Sequence, residues 1–391
     1  MAKVSPGLEQ FLQAPPAWIH GKRLALLANP ASVDASYHHA KDLVEQQLPG
    51  RLKAIFSPQH GFYAEKQDNM IESADSRDPD TGLPVYSLYG HTRQPTRTML
   101  EGLDVLLIDL QDVGTRVYTF ATTVSYCLEK AKEMGIPVLV LDRPNPVGGL
   151  QVEGNRLEPE FASFVGRCPV PMRHGLTLGE LALYMNALLD IECQVSVIAM
   201  EGWQRWMYFP DTGLPWVPPS PNLPTPHSAM VYPGQVIFEG TNISEGRGTT
   251  TPFEVFGAPF IEPERVIASI DGDHLPGAVL RPVAFEPMFH KWQHETCRGL
   301  HIHLTRPAAY NAYETSLKLL QAILYNYPDA FQWRRPPYEY EWEKLPIDLI
   351  AGSDRIRKQL ERMEPIEAIA ASWQADINTF KKEKAAFHLY E

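Results

Sequence analysis

Short, almost unbroken apolar runs recur through the first half of the chain: RLALLANP at 23–30, LKAIFSP at 52–58, DVLLIDLQD at 104–112 and PVLVLDRPNP at 137–146. A strand with one wet face alternates apolar and polar residues, whereas a strand covered on both faces reads as a continuous apolar run. The four runs therefore predict buried strands, and QVSVIAM at 194–200 predicts a fifth. Between them the apolar spacing changes to that of a helix, in SYHHAKDLVEQQL at 36–48, TVSYCLEKAKEMG at 123–135 and TLGELALYMNALL at 177–189. Thr177 stands where an N-cap is needed, with Glu180 as its capping-box partner. Strand alternating with helix predicts an α/β fold with a doubly wound, mostly parallel sheet and right-handed crossovers.

From about residue 263 the texture changes. IEPERVIASI, AAYNAYETSLKLLQAILYNY, RIRKQLERM and IEAIAASWQADINTFKKEKAAF read as helices and GLHIHLT as a strand. A chain of 391 residues also exceeds what one core usually organises. The expected division is a large domain over residues 1–262 and a smaller C-terminal α/β domain over 263–391.

With 44% hydrophobic and 21% charged residues the chain can bury a sizeable core. A formal charge of −12 disfavours a nucleic-acid partner, which would need a basic face to replace phosphate counterions. No run approaches the roughly 18 to 20 apolar residues that span a bilayer, and the opening MAKVSPGLEQFLQAPPAWIH has no signal-peptide core, so a cytoplasmic protein without membrane contact is expected. Cys127, Cys168, Cys193 and Cys297 form no CxxC and read as buried free thiols. The 35 prolines gather in connections such as PWVPPSPNLPTP and predict long ordered loops.

Polar residues cluster just past the apolar runs, where ligand crevices form in open α/β sheets. Asn29 follows the first run, and Gln59, His60, Glu65 and Asn69 the second. Asp109, Gln111, Asp112, Arg116 and Tyr118 follow the third, and Asp142, Arg143 and Asn145 the fourth. Arg173 and His174 precede the helix at 177. The Gly-rich stretch EGTNISEGRGTTTPFE adds Glu239, Asn242, Glu245 and Arg247, and its glycines allow close approach of backbone to a sugar. Asp142 with Arg143 reads equally as an ion pair fixing a loop. Trp203, Trp206, Tyr208 and Trp216 offer sugar-stacking faces or interface packing. The turn ANPASVD holds neither GxGxxG nor GxxxxGK[ST], which removes the backbone cradle for a dinucleotide or nucleotide cofactor. HExxH is absent and the histidines lack metal-ligand spacing, so no metal is expected.

The blocks SPQHGF, LDVLLIDLQDVGTRVYTF, VLDRPNPVGG, PMRHGLTLGELA, YPGQVIFEGTNISEGRGTTTPFEVFGAP and IDLIAGSDRIR, in this order from about residue 22 onward, resemble the NamZ-type exo-β-N-acetylmuramidases. That bacterial family was long known as a domain of unknown function. The resemblance implies a Rossmann-like catalytic domain, a C-terminal auxiliary domain, no cofactor, and release of terminal N-acetylmuramic acid from peptidoglycan fragments in cell-wall recycling. Many relatives carry glutamate where this chain has Gln59, and glutamine donates no titratable proton. Glu65 is then the candidate acid and His60 the alternative, with Asp109, Asp112 or Glu245 as the second carboxylate. The muramic lactyl carboxylate favours a guanidinium fork, for which Arg116, Arg143, Arg173 and Arg247 are candidates. Two other readings stay open: a non-catalytic amino-sugar-binding relative, and a hydrolase of another amino-sugar glycoside.

Overall fold

The computed structural model describes residues 4–68, 70–270 and 275–391. Strands β1 (Leu24–Ala28), β2 (Leu52–Ser57), β3 (Ser76–Arg77), β4 (Pro84–Ser87), β5 (Val105–Asp109) and β6 (Val138–Leu141) precede the hairpin β7 (Glu153–Arg156) and β8 (Pro171–Arg173). Then come β9 (Val195–Ile198), β10 (Val255–Ala258), β11 (Ala278–Phe285) and β12 (Cys297–Leu304). The large sheet has seven strands in the order β3-β4-β2-β1-β5-β6-β9. All its pairings are parallel except the antiparallel edge pair β3–β4. Runs two, one, three and four of the sequence thus lie side by side, and the chain reverses direction across the sheet between β1 and β5.

Alternation within the runs explains why they are continuously apolar. Ala25, Leu27, Leu106, Ile108, Val138 and Val140 point into one core cluster, beside residues of the helices Phe120–Met134 and Leu178–Leu188. Leu24, Leu26, Ala28, Val105, Leu107, Leu139 and Leu141 point into another, with Leu8, Phe11, Ala40 and Val44 of the helices Gly7–Gln13 and Ala40–Gln47. Both faces are dry, so no polar register is required. The helix at 178 begins as expected: Thr177 Oγ1 accepts from Glu180 N, and the Glu180 side chain accepts from Thr177 N.

A smaller antiparallel sheet, β10-β12-β11, organises the C-terminal part with the helices Ala312–Asn326, Asp354–Glu361, Ile366–Ser372 and Gln374–Ala385. β10 lies before residue 263, the expected start of the second domain, because its hydrogen-bond partner is β12, the central strand of this sheet. The four cysteines are free and buried. Among the described residues no helix is long and apolar enough to cross a membrane.

Candidate functional site

The loops after β2 and β5 and the segments around 220–253 and 338–339 enclose a small cavity of about 40 Å³. Its walls include Gln59, His60, Tyr118, Thr119, Ser220, Tyr232, Glu239, Arg247, Tyr338 and Glu339. Glu339 comes from a tight turn late in the chain, with φ 45° at Glu339 and 67° at Tyr340, a left-handed conformation uncommon for residues with side chains. Tertiary contacts hold it there. Gln59 Nε2 donates to Glu339 Oε1 at 3.1 Å and the Tyr89 hydroxyl donates to Oε2 at 2.6 Å. Thr119 donates to Gln59 Oε1 at 2.7 Å, which fixes the amide so that its NH₂ faces the carboxyl. Arg93 lies between the Tyr89 and Tyr340 rings, 4.6 and 3.7 Å from their centroids, and ties the turn to the loop after β4.

Burial pushes the Glu339 carboxyl up to about 7, and the hydrogen bonds from Tyr89 and Gln59 recover only part of that shift. The charge of Glu239 adds to the upward push. Glu239 itself is ion-paired: Arg247 Nη2 donates to Oε1 at 2.7 Å and the Tyr338 hydroxyl to Oε2 at 2.7 Å. Two glutamates in one cavity therefore differ in environment, one pushed toward its neutral form and the other held against a guanidinium. The His60 ring is buried and its pKa falls to about 4, chiefly through loss of solvation. Its Nδ1 lies 2.7 Å from the Lys66 carbonyl, which assigns the proton to Nδ1 and leaves Nε2 as an acceptor.

Of the residues singled out in the sequence, the cavity brings together Gln59, His60, Tyr118, Glu239 and Arg247. Glu245 stands directly behind Arg247, 3.2 Å from its Nε, with Lys291 at 2.8 Å and His290 at 3.4 Å. Those cations outweigh burial and hold the Glu245 carboxyl well below the usual range. Asp112 is buried, and its charge adds to the upward push that burial gives the Tyr118 and Tyr232 hydroxyls. It accepts from Gly114 N at 2.7 Å, and burial pushes its carboxyl up to about 7. Glu65 is exposed, its carboxylate lying over Gly61, where φ is +84°, and it does not line the cavity. Asn69 lies outside the described residues.

The other candidates are consumed by bonds that hold loops together. Arg143 pairs through Nε and Nη2 with both oxygens of Asp109, a buried ion pair. Asp142 accepts from Thr177, Tyr390, the amide of Gly179 and the amide of Arg143. Gln111 donates to the carbonyls of Asp112 and Pro144, and Asn145 donates to Leu176 while accepting from Val147 N. Arg116 donates to four carbonyls, those of Asn155, Val170, Ile350 and Ala351. Arg173 pairs with Glu153 and the Val147 carbonyl. His174 accepts from Leu176 N, and burial lowers its pKa to about 3. Asn242 joins Ala330 and Gln332. Trp203 packs on Tyr390, Trp216 on Phe209, and no tryptophan lines the cavity.

Sequence reasoning missed Tyr89, Thr119, Ser220, Tyr232, Tyr338 and above all Glu339. The available signal was the acid-aromatic run PYEYEW at 337–342, four residues before the IDLIAGSDRIR block.

With this geometry established, comparison with known proteins gives a consistent result. Residues 24–227 match the family model for exo-β-N-acetylmuramidase NamZ, N-terminal, and residues 230–390 match its C-terminal counterpart. The chain belongs to the NamZ exo-β-N-acetylmuramidase family. The peptidoglycan β-N-acetylmuramidase NamZ of Bacillus subtilis strain 168 is 42% identical over 388 residues, which is 99% of this chain and 92% of that protein. A crystal structure of a DUF1343 family protein from Bacteroides fragilis NCTC 9343 superposes with a TM-score of 0.89 at 34% identity, covering 100% of both chains. A second protein of that family from the same strain gives 0.79 at 29% identity, covering 100% of this chain and 99% of the other. The cavity is lined from both matched parts, Gln59 to Phe120 from the N-terminal match and Glu239 to Glu339 from the C-terminal one.

Proposed function

We propose that the chain is a glycoside hydrolase that releases terminal N-acetylmuramic acid from peptidoglycan-derived fragments. The observation that carries this reading is the pair Glu339 and Glu239 in one cavity, the first pushed by burial up to about 7 and the second held against the Arg247 guanidinium. Glycoside cleavage needs such a division: one carboxyl keeps a proton for the leaving oxygen, and a second stays charged beside the oxocarbenium-like sugar. Glu339 supplies the proton, and Gln59 and Tyr89 aim it. Glu239, fixed by Arg247 and Tyr338, stabilises the developing positive charge. Nε2 of the neutral His60 accepts from the attacking water. Glu65 has no part in this scheme, because its carboxylate is exposed outside the cavity.

Gln59 had suggested a binding relative that has lost its acid, but the carboxyl hydrogen-bonded to Gln59 answers the need for one. The substrate is a small amino-sugar or muropeptide fragment, and we place the reaction in the cytoplasm, where four free thiols are chemically at home. The direct test offers the enzyme disaccharides ending in N-acetylmuramic acid or in N-acetylglucosamine at the non-reducing end, with products followed by mass spectrometry. Release of N-acetylmuramic acid is expected, and an intact muramic disaccharide after prolonged incubation with folded protein would sink the reading.

A further inference from the structure

Among the four arginines considered for an anionic substituent, Arg116, Arg143 and Arg173 are occupied by carbonyls or carboxylates away from the cavity. Arg116 and Arg173 each also leave Nε without a partner, but away from the cavity, and Arg247 differs in facing it. It lines the cavity, its Nη2 is held by Glu239, and its Nη1 is buried with no hydrogen-bond partner. The hydroxyl of Tyr118, on the same cavity wall, is also buried; it lies near Ser220 but makes no well-formed hydrogen bond, so it is available to a ligand. The two side chains are linked through a chain of rings. Tyr118 meets Tyr232 at 6.1 Å, Tyr232 meets Phe253 at 4.8 Å, and the Arg247 guanidinium lies 5.1 Å over Phe253.

A buried donor with nothing to donate to is costly and uncommon in folded proteins. Two such donors around one cavity suit an acceptor-rich ligand group. The guanidinium is held in place beforehand by Glu239 on one edge, Glu245 near Nε and Phe253 below. Lys291, at 2.8 Å from Glu245, takes up much of that carboxylate's charge, so Arg247 retains attraction for an incoming anion.

We infer that Arg247 Nη1 and the Tyr118 hydroxyl form the receptor for the carboxylate of the 3-O-lactyl group, and so distinguish a muramic residue from its glucosamine counterpart. The inference rests on the muramidase reading and assigns its specificity to two residues. N-Acetylglucosamine at the same position leaves both donors unpaired, which is the situation in which a polar site rejects an analogue most strongly. A planar fork suits a carboxylate better than an ammonium does, so Arg247→Lys keeps the charge and loses the geometry.

The test begins on the substrate and uses the unaltered protein. We would measure kcat/KM for an aryl β-N-acetylmuraminide, for the same compound with its lactyl carboxylate as the N-methylamide, and for the aryl β-N-acetylglucosaminide. Calorimetric binding of the free sugars N-acetylmuramic acid and its lactyl N-methylamide accompanies the kinetics. Neutralising the carboxylate is expected to lower kcat/KM and affinity by roughly 10- to 100-fold, the range for a lost charge-assisted hydrogen bond. Arg247→Lys and Tyr118→Phe are expected to shrink that ratio between acid and amide toward one. Acid and amide within about threefold of each other in both turnover and binding would overturn the inference. Selective binding of the acid without any turnover would instead uphold the receptor and overturn the proposed reaction.

Discussion

Replacing Glu339 by Gln removes the titratable proton of the cavity turn while keeping its shape and most of its packing. General acid catalysis by a positioned side chain is worth about 10² to 10⁴ in rate. The size of the loss depends on the leaving group, since a sugar alkoxide needs the proton and a nitrophenolate largely does not. Loss toward the upper end of that range is expected on a disaccharide, and a much smaller loss on a 4-nitrophenyl glycoside. In the unaltered enzyme the acid works while protonated, so kcat/KM should fall as pH rises through about 7, and this alkaline limb should vanish in the variant.

The stability of the unaltered protein falls over the same rise in pH. Burial raises the carboxyl from its ordinary 4.5 to about 7, so the folded protein holds the proton more tightly than the unfolded chain does. That contribution is fully present below pH 4.5, is lost as pH rises through about 7, and amounts to on the order of 3 kcal/mol. Glu339→Gln carries no such proton, so its stability relative to the unaltered protein should grow across that window, less what the amide loses in matching Tyr89 and Gln59. Disaccharide turnover and urea unfolding at a series of pH values measure both effects. A variant that keeps more than about a tenth of the disaccharide turnover, or an alkaline limb that survives in place, would refute the assignment.

Gln59→Glu sets a second carboxyl 3.1 Å from Glu339 Oε1; the two then share a proton, and the alkaline limb in the pH–rate profile should move up by about one unit or more. Glu65→Gln should keep disaccharide turnover within about twofold, because the carboxylate is exposed and outside the cavity. Arg116→Met strips the donor from four buried carbonyls and should cost about 3 kcal/mol or more in urea unfolding.

The pattern of the chain determined the large sheet and its crossovers, because strands buried on both faces need continuous apolar runs and helices need a 3.6-residue stripe. It also determined the cap at Thr177, since a capping box is local. It pointed to the loop ends after β2 and β5, where parallel sheets expose their backbone termini, and to the Gly-rich stretch at 239–247. The very short edge strand β3 and the helix Pro226–Gln235, with Pro233 inside it, gave no such pattern.

Which of the charged residues line the cavity was decided by tertiary structure alone. Asp109 and Arg143 look like catalytic residues in the sequence, yet folding turns them onto each other. Arg116 and Arg247 look alike, yet one is surrounded by carbonyls and the other faces a cavity. Gln59 and Glu339 lie 280 residues apart, and their hydrogen bond forms only when the C-terminal part closes over the loops of the large sheet. Burial, partner count and proton affinity depend on which distant groups share a small volume, and no local pattern encodes that.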